Sequence, residues 1–150
     1  MPRVAIVLGS ESDRLAGEEA EKMLKELGVD CEVSVHSAHR DPEGLAAYVA
    51  GSDASVFIAI AGLSAALPGF IASRTIRPVV GVPRDVRLGG LDALLSIVQM
   101  PPGIPVATVG IENARNAAIL AAEILGVADK EVATRLEARR IPRQGRHRAS

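Results

Sequence analysis

The 150-residue sequence predicts a single doubly wound α/β domain, with a central parallel sheet flanked by helices. Short, almost wholly apolar runs, typical of strands buried on both faces, alternate with longer segments whose apolar residues recur at helical spacing. Aromatic residues make up only 2% of the chain, so the core must consist of Ala, Val, Ile and Leu. Such small side chains suit the close packing of helices on a sheet.

Each element has its own local signal. The first strand, 3–8, is continuously apolar, and Ser12-Asp13 offers N-cap chemistry to a helix over 13–27 that Gly28 ends. Pro42 after Asp41 starts the second helix in the same way. The pattern is typical of a flavodoxin-like three-layer sandwich, whose remaining elements are strands at 31–36, 55–60, 79–82 and 106–109 and helices at 42–51, 67–75, 91–98, 113–125 and 129–140.

Charge divides the chain into two parts. Residues 1–128, predicted to be the catalytic α/β domain, carry 10 Lys and Arg against 15 Asp and Glu, whereas residues 129–150 carry 7 against 3. The second part is predicted to be a C-terminal helix and basic tail, with its last several residues disordered. A basic tail could touch nucleic acid or a membrane surface, but a solvated or subunit-docking extension is the favoured interpretation.

Composition excludes several classes of function. The scarcity of aromatic residues argues against stacking of single-stranded nucleic acid. We find no apolar stretch of membrane-spanning length and no secretory signal, and therefore expect a cytoplasmic protein without nucleic-acid or membrane partners. The single cysteine, Cys31, rules out an internal disulfide and fits a reducing compartment. Its place in the second strand suggests a small buried residue rather than a nucleophile.

Polar residues follow the first strand at Gly9-Ser10-Glu11-Ser12-Asp13. Glycine lets the backbone approach a ligand, while hydroxyls and amides at a helix start can bind an anion and Asp13 can accept from sugar hydroxyls. An ordinary helix cap would use the same residues. The motif is neither a Walker loop nor a dinucleotide fingerprint, so no cofactor is expected through those motifs.

The second strand ends in Ser37-Ala38-His39-Arg40. Ligands of open α/β sheets bind at the carboxyl edge of the strands, where this motif lies. Arg40 could pair with a phosphate through forked hydrogen bonds, and histidine is the side chain that exchanges protons near neutral pH. The alternative is that His39 is a solvated loop residue. His36 is predicted to pack at the strand end or lie at the surface, and His147 falls in the tail.

A loop of small residues, 61–69, follows the third strand and contains Gly62 and Ser64. It offers close backbone approach and amide donors to an anionic group, whereas a plain turn would hardly need so many small residues. Ser64 has no second histidine nearby, which disfavours a Ser-His-Asp hydrolase. Cys, His and carboxylates nowhere have the spacing of a metal site, so no metal is expected.

Segment 94–100 is more apolar than a surface helix should be. A subunit interface or an internal core helix would explain it.

Taken in order, these segments resemble the phosphoribosylaminoimidazole carboxylase catalytic subunit of purine biosynthesis, including its N5-carboxyaminoimidazole ribonucleotide mutase branch. The resemblance covers residues 3–126 and is specific as a combination. It rests on the two strand-end motifs together with Leu67-Pro68-Gly69, Gly81-Val82-Pro83, Leu94-Leu95-Ser96-Ile97-Val98-Gln99-Met100-Pro101, Pro105-Val106-Ala107-Thr108 and Asn116-Ala117-Ala118.

The resemblance implies an enzyme that forms 4-carboxyaminoimidazole ribonucleotide without metal or organic cofactor. His39 would be the general acid and base, and the loop around Gly62 and Ser64 would trap CO2 beside the imidazole ring. Family members are usually homo-octamers with sites at subunit contacts. Ser10, Ser12 and Arg40 would hold the 5′-phosphate and Asp13 the ribose hydroxyls, which gives a substrate-binding set of Gly9, Ser10, Ser12, Asp13, Ser37, Arg40, Gly62, Ser64 and Leu67.

The chain departs from the mutase pattern at Ala66. In that branch a histidine usually stands directly before Leu-Pro-Gly, whereas the branch that carboxylates aminoimidazole ribonucleotide directly with CO2 lacks the histidine and has a serine where Ser64 stands. The overall pattern favours the mutase. The alternatives are the direct carboxylase, a different lyase on the same sheet, and a non-catalytic nucleotide-binding module, which would not need a titrating group at His39.

Overall fold

The computed structural model describes the backbone of residues 3–147 and the side chains of residues 3–140. The described residues form one parallel sheet with the strand order β2-β1-β3-β4-β5. This order confirms the predicted flavodoxin-like fold. The strands are β1 (Val4–Leu8), β2 (Cys31–Val35), β3 (Val56–Ala61), β4 (Val79–Pro83) and β5 (Ala107–Thr108).

Helices cover both faces of the sheet, as predicted. The second and fourth predicted helices match in both bounds, and the first and fifth each begin and end one residue away from their predicted limits. The helices are α1 (Arg14–Glu26), α2 (Pro42–Gly51), α3 (Leu67–Ala72), α4 (Leu91–Val98), α5 (Ala114–Gly126) and α6 (Lys130–His147), with 3₁₀ turns at Glu11–Asp13 and Leu88–Gly90.

The start of the first helix differs from the prediction. Ser10, not Ser12 or Asp13, is the capping residue: it has extended backbone and accepts a hydrogen bond from the Ser12 amide. The Asp13 side chain accepts in return from the Ser10 amide, which completes a capping box around the 3₁₀ turn. The prediction placed the N-cap two residues too late, because Ser10 and Ser12 are the same residue type and have the same intrinsic preference for the N-cap position.

Among the other elements, α3, β5 and α6 differ most in length from the prediction. Helix α3 ends at Ala72 rather than 75, where the Ser73 hydroxyl turns back to donate to the Phe70 carbonyl. Strand β5 is limited to two residues instead of 106–109. Helix α6 continues to His147, beyond the predicted end at 140, and the predicted disorder of the last several residues falls in part on 148–150, outside the described residues.

Alternation along the strands divides the core into two layers. Ile6, Ile58 and Val80 face the layer covered by α1 and α5, whereas Val7 and Phe57 face the layer covered by α2, α3 and α4. A β carbon at Gly81 would collide with Ile97 of α4, so glycine there lets α4 lie close to the sheet. The three-layer arrangement places every strand's carboxyl end at the same edge.

Helix α6 packs on the domain rather than extending into solvent. Val132 is buried in the core layer of α1 and α5. Arg139 reaches Glu26 of α1 at 3.1 Å, and Arg3 before β1 pairs with Asp129 at 2.8 Å. The division of the chain at residue 128 therefore stays a prediction based on charge.

Helix α4 reconciles the two interpretations of the apolar segment. Ala93 and Ile97 lie on its buried face, as in a core helix. Leu91, Leu95 and Val98 lie on its other face and are 52%, 46% and 47% exposed. Among the described residues, no helix combines the length and apolar character needed to cross a membrane.

Specific predictions concerned Cys31 in the edge strand β2 and His36 directly after it. The His36 ring packs against Tyr48, with ring centroids 4.4 Å apart, which confirms a packing role. Cys31 was expected to be buried but is partly exposed, because β2 has a neighbouring strand on one side only. Burial still raises the pKa of its thiol, since the thiolate is the form that desolvation penalises.

Candidate active site

A cleft of about 370 Å³ opens at the carboxyl ends of β1, β2 and β3. This is the size range of small-molecule sites. The structure brings all ten predicted site residues together around it, although nothing in the geometry assigns their roles. The lining comprises Gly9, Ser10, Ser12, Asp13, Ser37, His39, Arg40, Gly62, Ser64 and Leu67, together with Ala38, Ala61, Leu63 and Val86.

The β1 loop (residues 9–13) forms one wall. The hydroxyl oxygens of Ser10 and Ser12 lie 2.6 Å apart, and the Ser12 amide donates to Ser10 Oγ at 3.1 Å. These residues therefore cap the helix and line the cleft at once, so the two interpretations of the motif do not compete. The capping geometry fixes where the two hydroxyls lie.

Asp13 is the buried acidic residue of this wall, with only 5% of its surface exposed. Its Oδ2 accepts from the Ser10 amide at 3.1 Å, and its Oδ1 accepts from Arg84 Nη1 at 3.1 Å. Burial raises the pKa of the Asp13 carboxyl, because desolvation penalises the charged form more than Arg84 and the amide favour it.

Arg84 is a residue that the sequence prediction missed. It directly follows β4, and its Nε donates to Glu112 Oε1 at 2.9 Å. Glu112 also accepts from the Asp85 amide at 2.6 Å. Burial works against ionisation of Glu112, but the amide and the guanidinium outweigh it and lower its pKa. The available signal was position, since residues after β4 reach the same sheet edge as the predicted motifs.

The β2 loop (residues 37–40) forms the opposite wall. Ser37 Oγ accepts from the Arg40 amide at 3.1 Å, and Asp41 caps α2 through the Gly44 amide at 3.0 Å. The side chains of His39 and Arg40 are exposed, and no described residue makes a hydrogen bond or ion pair with either of them. Their nitrogen atoms are thus available to a ligand.

The β3 loop (residues 61–66) closes the cleft between the two walls. Gly62 is buried, and a β carbon there would collide with Val86, so glycine is required by the close approach of the two loops. Ser64 is exposed to the cleft. Ala66, the position of the departure from the mutase pattern, does not line the cleft. Within the described residues, no three His, Cys, Asp or Glu side chains form a group suited to a metal ion.

Comparison with known proteins identifies the family. Residues 3–145 match the family described as AIR carboxylase. The chain is 59% identical over 133 residues to N5-carboxyaminoimidazole ribonucleotide mutase of Methanocaldococcus jannaschii, which covers 89% of this chain and 85% of the relative. It is 49% identical to the mutase of Thermotoga maritima, over 91% of this chain and 82% of the relative.

A solved structure agrees with these sequence matches. The crystal structure of Treponema denticola PurE superposes with a TM-score of 0.87 at 30% identity, covering 97% of this chain and 94% of the other. By sequence and by fold, the chain belongs to the AIR carboxylase family.

Proposed function

We propose that this chain is an N5-carboxyaminoimidazole ribonucleotide mutase of purine biosynthesis, which moves a carboxyl group from the exocyclic nitrogen to ring carbon C4. The observation that carries the proposal is the pairing of an unengaged imidazole and an unengaged guanidinium with two fixed hydroxyls and a buried carboxylate in one cleft. The names of relatives 48–59% identical support the mutase in particular.

The ribose 5′-phosphate, which is the part of the substrate that does not react, would bind along the wall formed by the β1 loop and reach the wall formed by the β2 loop. Ser10 and Ser12 would donate hydroxyl protons to the 5′-phosphate, and Arg40 would meet it from the other side with a forked pair of hydrogen bonds. Asp13 would accept from the ribose hydroxyls. Gly9 and Ser37, which line the cleft between these groups, would allow close backbone approach and supply a further hydroxyl.

His39 would move the proton of the reaction. It would protonate the carbamate nitrogen as the C–N bond breaks and CO2 leaves. The freed CO2 would then form a bond to C4, and His39 would remove the C4 proton, which restores both the aromatic ring and the protonated imidazole. One proton thus circulates, and the exposed, unpaired position of His39 suits this exchange.

The β3 loop would hold CO2 between the two steps. Gly62 lets the backbone come close, Ser64 adds a hydroxyl, and the buried Leu67 gives an apolar side to a neutral molecule. Retention matters because CO2 that escapes is diluted into bulk solvent.

Carbon labelling tests this proposal. Purified protein receives carboxyl-labelled N5-carboxyaminoimidazole ribonucleotide in the presence of unlabelled bicarbonate, and the mutase should place most of the label in the product. The second candidate is the direct carboxylase, which Ala66 and Ser64 favour. It would consume aminoimidazole ribonucleotide and CO2 far better and yield unlabelled product. No turnover with either donor would leave only nucleotide binding.

We further propose a homo-octamer in the cytoplasm. The exposed face of α4, formed by Leu91, Leu95 and Val98, continues from the exposed Leu88 as an apolar stripe, which a second subunit would cover. A single cysteine suits a reducing compartment. Light scattering should give the octamer mass, and Leu95→Asp should reduce it. An active, monodisperse monomer of the wild-type chain would contradict the assembly.

A further inference from the structure

Three charged side chains form a continuous chain along the first wall of the cleft. Asp13 after β1 meets Arg84 after β4 at 3.1 Å, and Arg84 meets Glu112 after β5 at 2.9 Å. Arg84 Nη1 also lies 3.4 Å from the Ser12 carbonyl, and the Arg84 amide donates to the Ala61 carbonyl at 3.0 Å. The Arg84 guanidinium therefore joins the ends of β1, β4 and β5 at the rim of the site, and the Arg84 backbone amide adds the end of β3.

The buried position of Asp13 makes this contact consequential. A carboxyl group with 5% of its surface exposed has little water to stabilise its charge. Arg84 is the cation in contact with it, and the Arg84 side chain is itself only 20% exposed. Without that cation the pKa of the Asp13 carboxyl would rise, so the group would stay protonated up to a higher pH. A protonated carboxyl offers a ligand one hydrogen-bond acceptor fewer.

We infer that Arg84, held in place by Glu112, is a positioning residue that keeps Asp13 ionised and aimed to accept the hydroxyls of a ribose. This inference rests on the proposed function, because it takes a ribonucleotide as the ligand. Arg84 holds Oδ1 and the Ser10 amide holds Oδ2, which fixes the orientation of a carboxylate that lines the cleft. The arrangement favours ribose over 2-deoxyribose, since a missing hydroxyl leaves a buried acceptor unpaired.

Other charged groups approach Asp13 from several elements of the fold. Within its own turn, Glu11 is paired with Arg14 at 2.9 Å and points to solvent. From the β5 side comes Glu112, whose negative charge opposes ionisation of Asp13. His39 and Arg40 line the cleft from the β2 loop. The exposed Asp85 and Arg87 follow Arg84 in sequence.

The first test measures Asp13 directly, without a ligand. Its side-chain carboxyl carbon is titrated by NMR in the full chain for wild type, Arg84→Met and Glu112→Gln. We expect the Asp13 midpoint to move to higher pH in Arg84→Met, which loses the cation, and to lower pH in Glu112→Gln, which loses a neighbouring negative charge. Arg84→Lys keeps the charge, so its midpoint should lie closer to that of wild type.

A matched control is available at the far end of β1. Arg3→Met also removes an Arg–Asp ion pair, that with Asp129, but it lies away from the cleft and should not move the Asp13 midpoint. An unchanged midpoint in Arg84→Met would overturn the inference. So would shifts in the same direction for Arg84→Met and Glu112→Gln, because these would report general disruption rather than opposite charges.

The second test connects Arg84 to the ligand. Calorimetry measures the binding of aminoimidazole ribonucleotide and its 2′-deoxy counterpart to each variant. Arg84→Met should weaken ribonucleotide binding roughly ten- to a hundredfold, the range for a hydrogen bond to a charged group. The loss should grow as the pH falls and should be much smaller for the 2′-deoxy ligand. Arg84→Lys should recover part of it, because an ammonium cannot make the forked contacts.

The outcomes separate the two proposals. Wild-type protein that binds neither ligand would refute the proposed function and, with it, the ribose role of Arg84. Wild-type binding with an unchanged ratio between the two ligands in Arg84→Met would refute the inference alone.

Discussion

The two walls of the cleft are built on opposite principles. On the β1 side, Asp13, Arg84 and Glu112 are linked by ion pairs, and each acceptor position is set by a specific donor. On the β2 side, His39 and Arg40 project with no hydrogen-bond or ion-pair partner among the described residues. The first wall is organised before a ligand arrives, and the second is free to engage one.

Burial explains the difference. A buried carboxylate such as Asp13 is tolerated only with partners that replace water, so its wall must carry a network. Exposed side chains keep their hydration and need no partner, so Arg40 and His39 retain free donors for an incoming anion and for proton exchange. The fixed wall is thus suited to recognising the sugar, and the free wall to phosphate capture and chemistry.

The largest expected effect lies on the free wall. His39→Asn should lower kcat by about 10²–10⁴-fold while ribonucleotide affinity changes little, because positioned proton transfer acts on the rate. Steady-state kinetics and calorimetry on the same preparation separate the two effects. His36→Asn is the matched control, since it removes an imidazole that packs on Tyr48 and does not line the cleft. Near-normal turnover in His39→Asn would remove that residue from the mechanism.

Arg40→Ala should have the next largest effect, on affinity rather than on rate. We expect ribonucleotide binding to weaken roughly ten- to a hundredfold, as for the loss of a hydrogen bond to a charged group. Binding of the riboside, which has no phosphate, should be almost unchanged. Arg74→Ala, which removes an exposed arginine packed on Phe70, serves as control. Equal losses for ribonucleotide and riboside would show that Arg40 does not contact the phosphate.

On the fixed wall, Asp13→Asn should raise the thermal stability of the protein and weaken its binding of the ribonucleotide. The pKa of Asp13 is raised in the folded state, so the folded chain binds this proton more tightly than the unfolded chain does. The stabilisation that results is fully present below the unfolded pKa and is lost as the pH rises through the folded pKa. The neutral asparagine avoids that loss, its amide oxygen keeps one of the two hydrogen bonds that Asp13 accepts, and Arg84 keeps Glu112 as its partner. At neutral pH the variant should melt at a Tm up to about 4 °C higher, with weaker ribonucleotide binding.

Thermal melts over a pH series check this sign. The difference in Tm between Asp13→Asn and wild type should shrink as the pH falls, because the wild-type carboxyl then becomes neutral as well. A lower Tm for the variant at neutral pH would mean that attraction to Arg84 outweighs the cost of burial.

The smallest expected effect concerns the loop between the walls. Ala66→His restores the imidazole found in the mutase branch, and should shift the ratio of kcat/KM between the two carboxyl donors. The shift should be modest because Ala66 does not line the cleft in this chain. An unchanged ratio in a folded, active variant would place donor choice elsewhere in the site.

Prediction from sequence succeeded where the signal is local. Helix α2 matches its predicted bounds because the Asp41 cap and the first-turn proline lie at its start, and α4 matches because its apolar spacing is equally local. It failed where neighbours in space decide, as in the length of β5, which depends on pairing with β4. The prediction of a buried Cys31 failed for the same reason, because the exposure of Cys31 follows from the position of β2 at the edge of the sheet.

The sequence by itself determined the order of strands and helices, the family, and the polar motifs at the ends of β1, β2 and β3. Parallel strands deliver their carboxyl ends to one edge, so the convergence of those motifs followed from topology alone. Only the tertiary structure decided that Asp13 is buried and that Arg84, itself held by Glu112, compensates its charge. These residues are about 70 and 100 positions from Asp13 along the chain, and the Coulomb interaction depends on distance in space, which no local pattern encodes.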